Sequence, residues 1–300
     1  VIMDQRGKLL DELKVFNFPN SKRIRIGSDK DGGYVLLNAE LESIDVVYSY
    51  GVGGNSDFET MFCEKFNTIA RLYDHTVDGA ARKRDFLHFK KEGVGEKKTK
   101  DRNTIESHLN ENIDHKKNLI LKMDIDGGEW DTLIKTPDSV LGLFNQIVIE
   151  VHGMGTDLSE SLNGGEVYEA SLDKKINVLK KINNLFYLFH VHANNYSRVF
   201  YKKWYKIPDT LELTYINKKI VKNPEPSKVI FPTEFDRPNS KNKKEVDLHF
   251  WPFYPGIIQH LLDLFRRKGW KSLGEFVMII FNQFDRGFRS VRTAIGLRRP

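Results

Sequence analysis

The sequence predicts an α/β fold in which a parallel sheet carries helices on both faces. From residue 46 to residue 192, short runs rich in Val, Ile, Leu and Tyr alternate with helical patterns, the order that builds parallel sheets. In addition, Val46-Val47-Tyr48-Ser49-Tyr50 runs into Gly51-Val52-Gly53-Gly54-Asn55 and then a helix start, with Ser56 or Asp57 as N-cap. Strand, glycine turn and helix in succession cradle nucleotide-like ligands in open sheets.

The chain opens on an amphipathic helix within residues 1–20, with Leu9, Leu10, Leu13 and Phe16 at helical spacing and Pro19 as its stop. Arg23–Gly27 and Tyr34–Leu37 read as a hairpin around Ser28-Asp29-Lys30-Asp31-Gly32-Gly33. Ile69–Tyr73 forms the strand after the glycine turn and ends at Asp74. An acid roughly 20 residues beyond the turn, at a strand tip, can accept ribose hydroxyls. The dinucleotide pattern is incomplete, because Ser56 stands where its last glycine would be.

Phe86–Phe89 is a third strand, and a helix starts at Thr104. Asn118–Asp124 is a buried strand that turns through Gly127 and Gly128 into a helix, and Phe144–Val151 is the next strand. The glycine-containing stretch 154–166 has the length of a lid. Val167–Asn184 is a helix, Leu185–His192 a strand, and Thr210–Ile216 closes the sheet. The proline-rich, charged stretch 221–247 reads as an extended surface segment. Residues 248–300 form a helical extension that admits packing on the body, a homo-oligomer or peripheral membrane contact.

The 300 residues, 40% of them hydrophobic, allow one large domain with additions. A net charge of +6 favours anionic partners without selecting one. The basic runs lack interleaved aromatic stacking platforms, so nucleic acid is not the favoured partner. Cys63 is the one cysteine, so an intrachain disulfide is excluded and a reducing cytoplasm is expected. No unbroken apolar span of about 20 residues is present. The chain begins at Val1 and ends at Arg298-Arg299-Pro300, and we expect it to be part of a longer polypeptide.

Three successive strands end in polar pairs spaced by two: Asp124/Asp126, Glu150/His152 and His190/His192. Alternation lets each pair point one way. Ligands bind at the carboxyl ends of such strands, where the glycine turn and Asp74 also fall. Three readings stay open. Asp124, Glu150, His152 and His192 can supply ligands for a divalent metal, with Mn, Fe or Zn suiting the mixed donors and Mg preferring carboxylates and water. His152 or His192 can act as a metal-free general base. Or these groups cap loops and bond the backbone.

Tyr48–Asn55 and Leu121-Lys122-Met123-Asp124-Ile125-Asp126-Gly127-Gly128-Glu129-Trp130 resemble the FkbM-type S-adenosylmethionine-dependent methyltransferases. Asp31-Gly32-Gly33-Tyr34 and Thr104–Ser107 fit the same resemblance, which covers residues 23–216. The usual D-x-E-G-x-E has Asp126 in place of its Glu, with Gly128 at the small position. The resemblance implies a Rossmann-like, seven-stranded methyltransferase sheet over residues 1–220 and S-adenosylmethionine as donor. It implies Gly51 and Gly53 under the methionine part, Asp74 on the ribose, Asp124 near sulfur and acceptor, and Tyr50 and Asn55 in the cofactor site. The expected activity is O-methylation of a small-molecule or polysaccharide sugar hydroxyl, as in surface polysaccharide biosynthesis, in the cytoplasm or at the inner face of the membrane. An RNA ribose 2'-O-methyltransferase, a non-catalytic nucleotide-binding scaffold and an NAD oxidoreductase are the rivals.

Overall fold

The structure, a computed structural model, describes residues 5–19, 21–156, 170–202 and 205–253. After helix α1 (Gln5–Asp11) come the hairpin strands β1 (Arg23–Gly27) and β2 (Gly33–Leu37). Then follow β3 (Val46–Tyr50), α2 (Asp57–Phe66), β4 (Ile69–Tyr73), β5 (Leu87–Lys90), α3 (Ile105–Asn112) and β6 (Leu119–Met123). The rest is α4 (Glu129–Lys135), β7 (Phe144–Val151), α5 (Leu172–Leu185), β8 (Phe186–Ala193) and β9 (Leu211–Asn217).

Seven strands form one sheet in the order β8-β9-β7-β6-β3-β4-β5. The pairs from β5 across to β7 are parallel. β9 pairs antiparallel with both β7 and β8. It thus inserts between them rather than closing the edge, the sequence expectation. The chain returns from β8 to β9 through an antiparallel hairpin, Val199–Lys202 with Tyr205–Pro208, and no crossover helix among the described residues, and such a return gives antiparallel neighbours.

Alternation along each strand divides the core. Val46, Tyr48 and Tyr50, Leu119, Leu121 and Met123, and Ile147, Ile149 and Val151 face a layer containing residues of α1, α3, α4 and α5. Val47, Ala70, Leu72, Ile120 and Val148 face the other side, against α2 and the β1–β2 hairpin. The period of two therefore makes a helix–sheet–helix sandwich, as the sequence predicts. Capping fixes the helix starts. Thr104 accepts from the Ser107 amide at 3.1 Å and Ser171 from the Lys174 amide at 3.2 Å. At α2 Ser56 is the N-cap residue, as expected, but its side chain makes no capping bond; the Asn55 side-chain carbonyl accepts the Asp57 amide at 2.9 Å instead.

The stretch after β9 corrects the sequence reading. It has little regular structure, yet it is not a surface segment. Phe231 is fully buried and packs in the main core with Leu248 and Phe253, while Asp236 and Asn239 are buried with it. Asp236 and Glu245 meet His190 and His192 of β8, and Asn239 donates to Glu212 of β9, while the lysines of the segment stay exposed. The helical extension beyond residue 253 and residues 157–166 of the expected lid lie outside the described residues. No helix among the described residues is long and apolar enough to cross a membrane.

Candidate active site

The carboxyl ends of β3, β4 and β6 open on a cavity of about 590 Å³. Its lining joins Gly51–Asn55, Asp74–Thr76, Lys122 with Asp124–Asp126, and Asp31, Gly32 and Tyr34 of the hairpin turn. Two glycines of the first turn serve different ends. Gly51 has φ +74°, and a Cβ there would stand 1.7 Å from the Asp124 carbonyl oxygen. It is required because the tips of β3 and β6 touch. Gly53 has φ +47°, and a Cβ there would meet nothing within 4 Å, so it turns the chain beside open space.

Asp74 locks this turn. One carboxylate oxygen accepts the amides of Val52 at 3.0 Å and Gly53 at 2.9 Å. The other accepts the amide and hydroxyl of Thr76, both at 2.7 Å. Burial pushes its pKa up, but these bonds outweigh burial and hold it below the ordinary range. A carboxylate offers about four acceptor sites. With all of them used, Asp74 shapes the cradle, and a ribose there would have to compete with the turn.

Asn55 also builds the cradle, donating to the Asp31 carbonyl at 3.1 Å and thereby tying the hairpin turn to α2. Tyr50 corrects the sequence expectation. Its side chain is fully buried, stacked on Tyr73 with ring centroids 5.2 Å apart and bonded to His108 at 3.2 Å, and it does not line the cavity. Strand alternation points it into the core.

Beside the cavity stands a corner of acids. The Asp124 carboxylate accepts from the Tyr34 hydroxyl at 3.4 Å and lies 3.8 Å from the Lys122 ammonium. Lys122 itself donates to the Gly51 carbonyl at 2.5 Å. Burial raises the Asp124 pKa against the opposing pull of Lys122 and His152. Ligand atoms of Asp124, Glu150 and His152 all lie within 4.8 Å of one another. Glu150 is buried and its pKa is pushed up to about 8, by burial first and the Asp124 charge second. Asn194 donates to it at 3.1 Å.

Glu129 organises the corner from below. Fully buried at the start of α4, it accepts the Gly127 amide at 2.7 Å and the His152 amide at 2.6 Å. It also holds the His152 Nδ1 at 3.2 Å, leaving Nε2 facing Glu150 at 3.2 Å. Burial lowers the imidazole pKa, but the bonds and charges of Glu129 and Glu150 outweigh it and raise the pKa. The two carboxylates thus favour the charged imidazole, which weighs against His152 as a general base. Asp126 has φ +53°, a left-handed conformation that aspartate tolerates, and its exposed carboxylate is 3.7 Å from His152 Nε2.

His192 is not part of this corner. Its Nδ1 meets Glu212 at 3.0 Å and its Nε2 meets Glu245 at 2.8 Å. It is not among the groups whose ligand atoms gather beside Asp124, and Glu212 and Glu245 hold its ring elsewhere, contrary to the sequence expectation. Glu245 comes from the segment after β9, which the sequence reading places on the surface. His190 likewise meets Asp236 at 2.7 Å. Sequence reasoning does not single out Lys122, Glu129, Tyr34 or Asn194 as site residues. Glu129 and Lys122 carry a signal in their closeness to Asp124; Asn194 carries none.

A seven-stranded sheet with one antiparallel strand, and a glycine-turn cavity meeting an acidic corner at Asp124, are consistent with a Rossmann-like methyltransferase fold. The chain belongs to the methyltransferase domain family, whose match spans residues 10–205, and membership implies S-adenosylmethionine as methyl donor. No curated protein sequence matches it. Among solved structures, the Methanococcus jannaschii fibrillarin pre-rRNA processing protein is similar at 10% identity with a TM-score of 0.34. That alignment covers 67% of this chain and 84% of the other, and a likeness so distant carries no weight for the acceptor.

Proposed function

We propose that the chain is an FkbM-type O-methyltransferase that uses S-adenosylmethionine to methylate a sugar hydroxyl. The observation that carries this reading is the junction at Asp124, which lines the donor cavity and also belongs to the corner with Glu150 and His152. A hydroxyl at this junction would sit beside both a donor and a proton acceptor. S-adenosylmethionine held in the cavity would supply an electrophilic methyl group, with its sulfur keeping the electron pair of the broken bond. The chain's own part is to hold the acceptor oxygen and take its proton as the carbon–oxygen bond forms, on the Asp124 carboxylate or, once it is ionised, on Glu150. Nearby carboxylates also favour the positive sulfonium.

The lining beside the junction supports a polyol acceptor. Asp31, Asp124 and Asp126 offer hydrogen-bond acceptors, and Asn194 stands behind Glu150. These negative charges disfavour the phosphates of an RNA acceptor. In this reading residues 1–220 are the catalytic unit, working in the cytoplasm, with residues 231–253 packed along its β8–β9 edge.

The test is transfer of isotope-labelled methyl to a panel of free sugars and oligosaccharides by wild type and Asp124→Asn. Wild type should label a sugar hydroxyl, and the variant should lose transfer while keeping its fold. Normal turnover by Asp124→Asn would remove the assigned role, and labelling of RNA alone would remove the sugar reading.

A further inference from the structure

We propose that Asp124, Glu150 and His152 bind a divalent transition cation that holds the acceptor through its oxygens. Three features of the corner point to a cation. The first is the donor set, two carboxylates and one imidazole with ligand atoms within 4.8 Å of one another, drawn from the ends of adjacent strands β6 and β7. Such mixed donors suit Mn²⁺ or Fe²⁺ better than Mg²⁺.

The second is the support behind the donors. Metal-ligating imidazoles commonly present one nitrogen to the metal and give the other to a carboxylate, which fixes ring orientation. Here Glu129 takes Nδ1 of His152 and is itself held by the Gly127 amide, while Nε2 faces Glu150. Asn194 steadies Glu150 in the same way, and the Tyr34 hydroxyl reaches Asp124.

The third is charge. Asp124, Asp126, Glu129 and Glu150 crowd around His152, with Lys122 as the nearby lysine. Lys122 is already drawn to the Gly51 carbonyl. Four acidic side chains thus gather beside one lysine, and a divalent ion between Asp124, Glu150 and Nε2 of His152 would bring positive charge to that place.

A cation there would replace Asp124 and Glu150 as the proton's destination in the proposed reaction, and the proposal rests on that reading only for the cation's use. Coordination would acidify the acceptor hydroxyl, so its proton leaves to water while Asp124 and Glu150 serve as ligands. Coordination positions left over from three protein donors would favour acceptors that chelate, such as sugars with neighbouring hydroxyls.

The experiment titrates Mn²⁺ into the purified full chain, followed by calorimetry and by the electron paramagnetic resonance of free Mn²⁺. Binding of S-adenosylhomocysteine, measured separately, reports an intact fold and donor site. Wild type should take up one Mn²⁺ per chain. Glu150→Gln should weaken Mn²⁺ by more than about tenfold, and Glu129→Gln by about 10–100-fold as a supporting residue. Both should still bind S-adenosylhomocysteine. A wild-type chain that binds S-adenosylhomocysteine but no Mn²⁺ would overturn the metal site and leave the methyltransferase reading standing. Equal Mn²⁺ affinity in wild type and Glu150→Gln would also overturn it. Mn²⁺ uptake without S-adenosylhomocysteine binding would support the metal site and count against the donor reading.

Discussion

Replacing Glu129 with alanine should damage the active-site corner more than its single side chain suggests. The carboxylate is fully buried and accepts from the Gly127 amide, the His152 amide and His152 Nδ1. Alanine would leave the Gly127 and His152 amides without this acceptor and free Nδ1 of His152, whose Nε2 still faces Glu150. Each buried donor left unsatisfied costs about 1–3 kcal/mol. Losses within one network do not add fully, and removing one partner of a buried charge pair costs about 3–5 kcal/mol. We therefore expect about 3–5 kcal/mol in all, a large share of the roughly 5–15 kcal/mol that stabilises a domain. At about 2–4 °C per kcal/mol for a domain of this size, the melting midpoint should fall by about 6–20 °C. Glu129→Gln keeps one carbonyl acceptor and should cost roughly half as much. Thermal and urea unfolding of the three proteins would measure this. A loss below about 1 kcal/mol for Glu129→Ala would refute the view that this carboxylate holds the corner together.

Two further perturbations probe the frame. Gly51→Ala places a Cβ 1.7 Å from the Asp124 carbonyl at φ +74°, so it should abolish soluble folded protein or lower the midpoint steeply, which expression and melting would show. Asp236→Asn breaks the buried contact with His190 and should cost about 3–5 kcal/mol at neutral pH. Burial pushes the Asp236 pKa up, but the charges of His190 and His192 and the hydrogen bonds it accepts outweigh burial and depress it. Its stabilising contribution is thus present above the unfolded value of about 3.9 and is lost as pH falls below it. Unfolding measured against pH should show wild type losing its advantage over the variant in that acid window; a constant difference would contradict the assignment.

Much of the sheet was legible because its signals are local. The strand Val46–Tyr50 ends at a glycine turn, and Leu119–Met123 ends at acids, so both tips and their meeting at Asp124 follow from pattern. What was not legible depends on partners distant in sequence. His192 looks like a ligand because polar groups at a strand end usually face a site. Glu212 and Glu245 claim its ring instead, and nothing local announces that residues 231–253 fold back onto β8 and β9. Tyr50 belongs to the motif by position, but the pleat turns its ring inward. Asp74 has the right spacing for a ribose contact, yet spacing does not reveal that its four acceptor positions are spent on Val52, Gly53 and Thr76. β9 reads as a strand but carries no mark of its direction.

Everything proposed for catalysis depends on the cavity between the glycine turn and Asp124 taking the methyl donor. Calorimetric titration with S-adenosylhomocysteine, set against titrations with NAD and ATP, decides whether it does. We expect saturable binding of one S-adenosylhomocysteine per chain at micromolar strength, with neither nucleotide competing. Binding of NAD or ATP with no response to S-adenosylhomocysteine would show that the cavity serves another ligand.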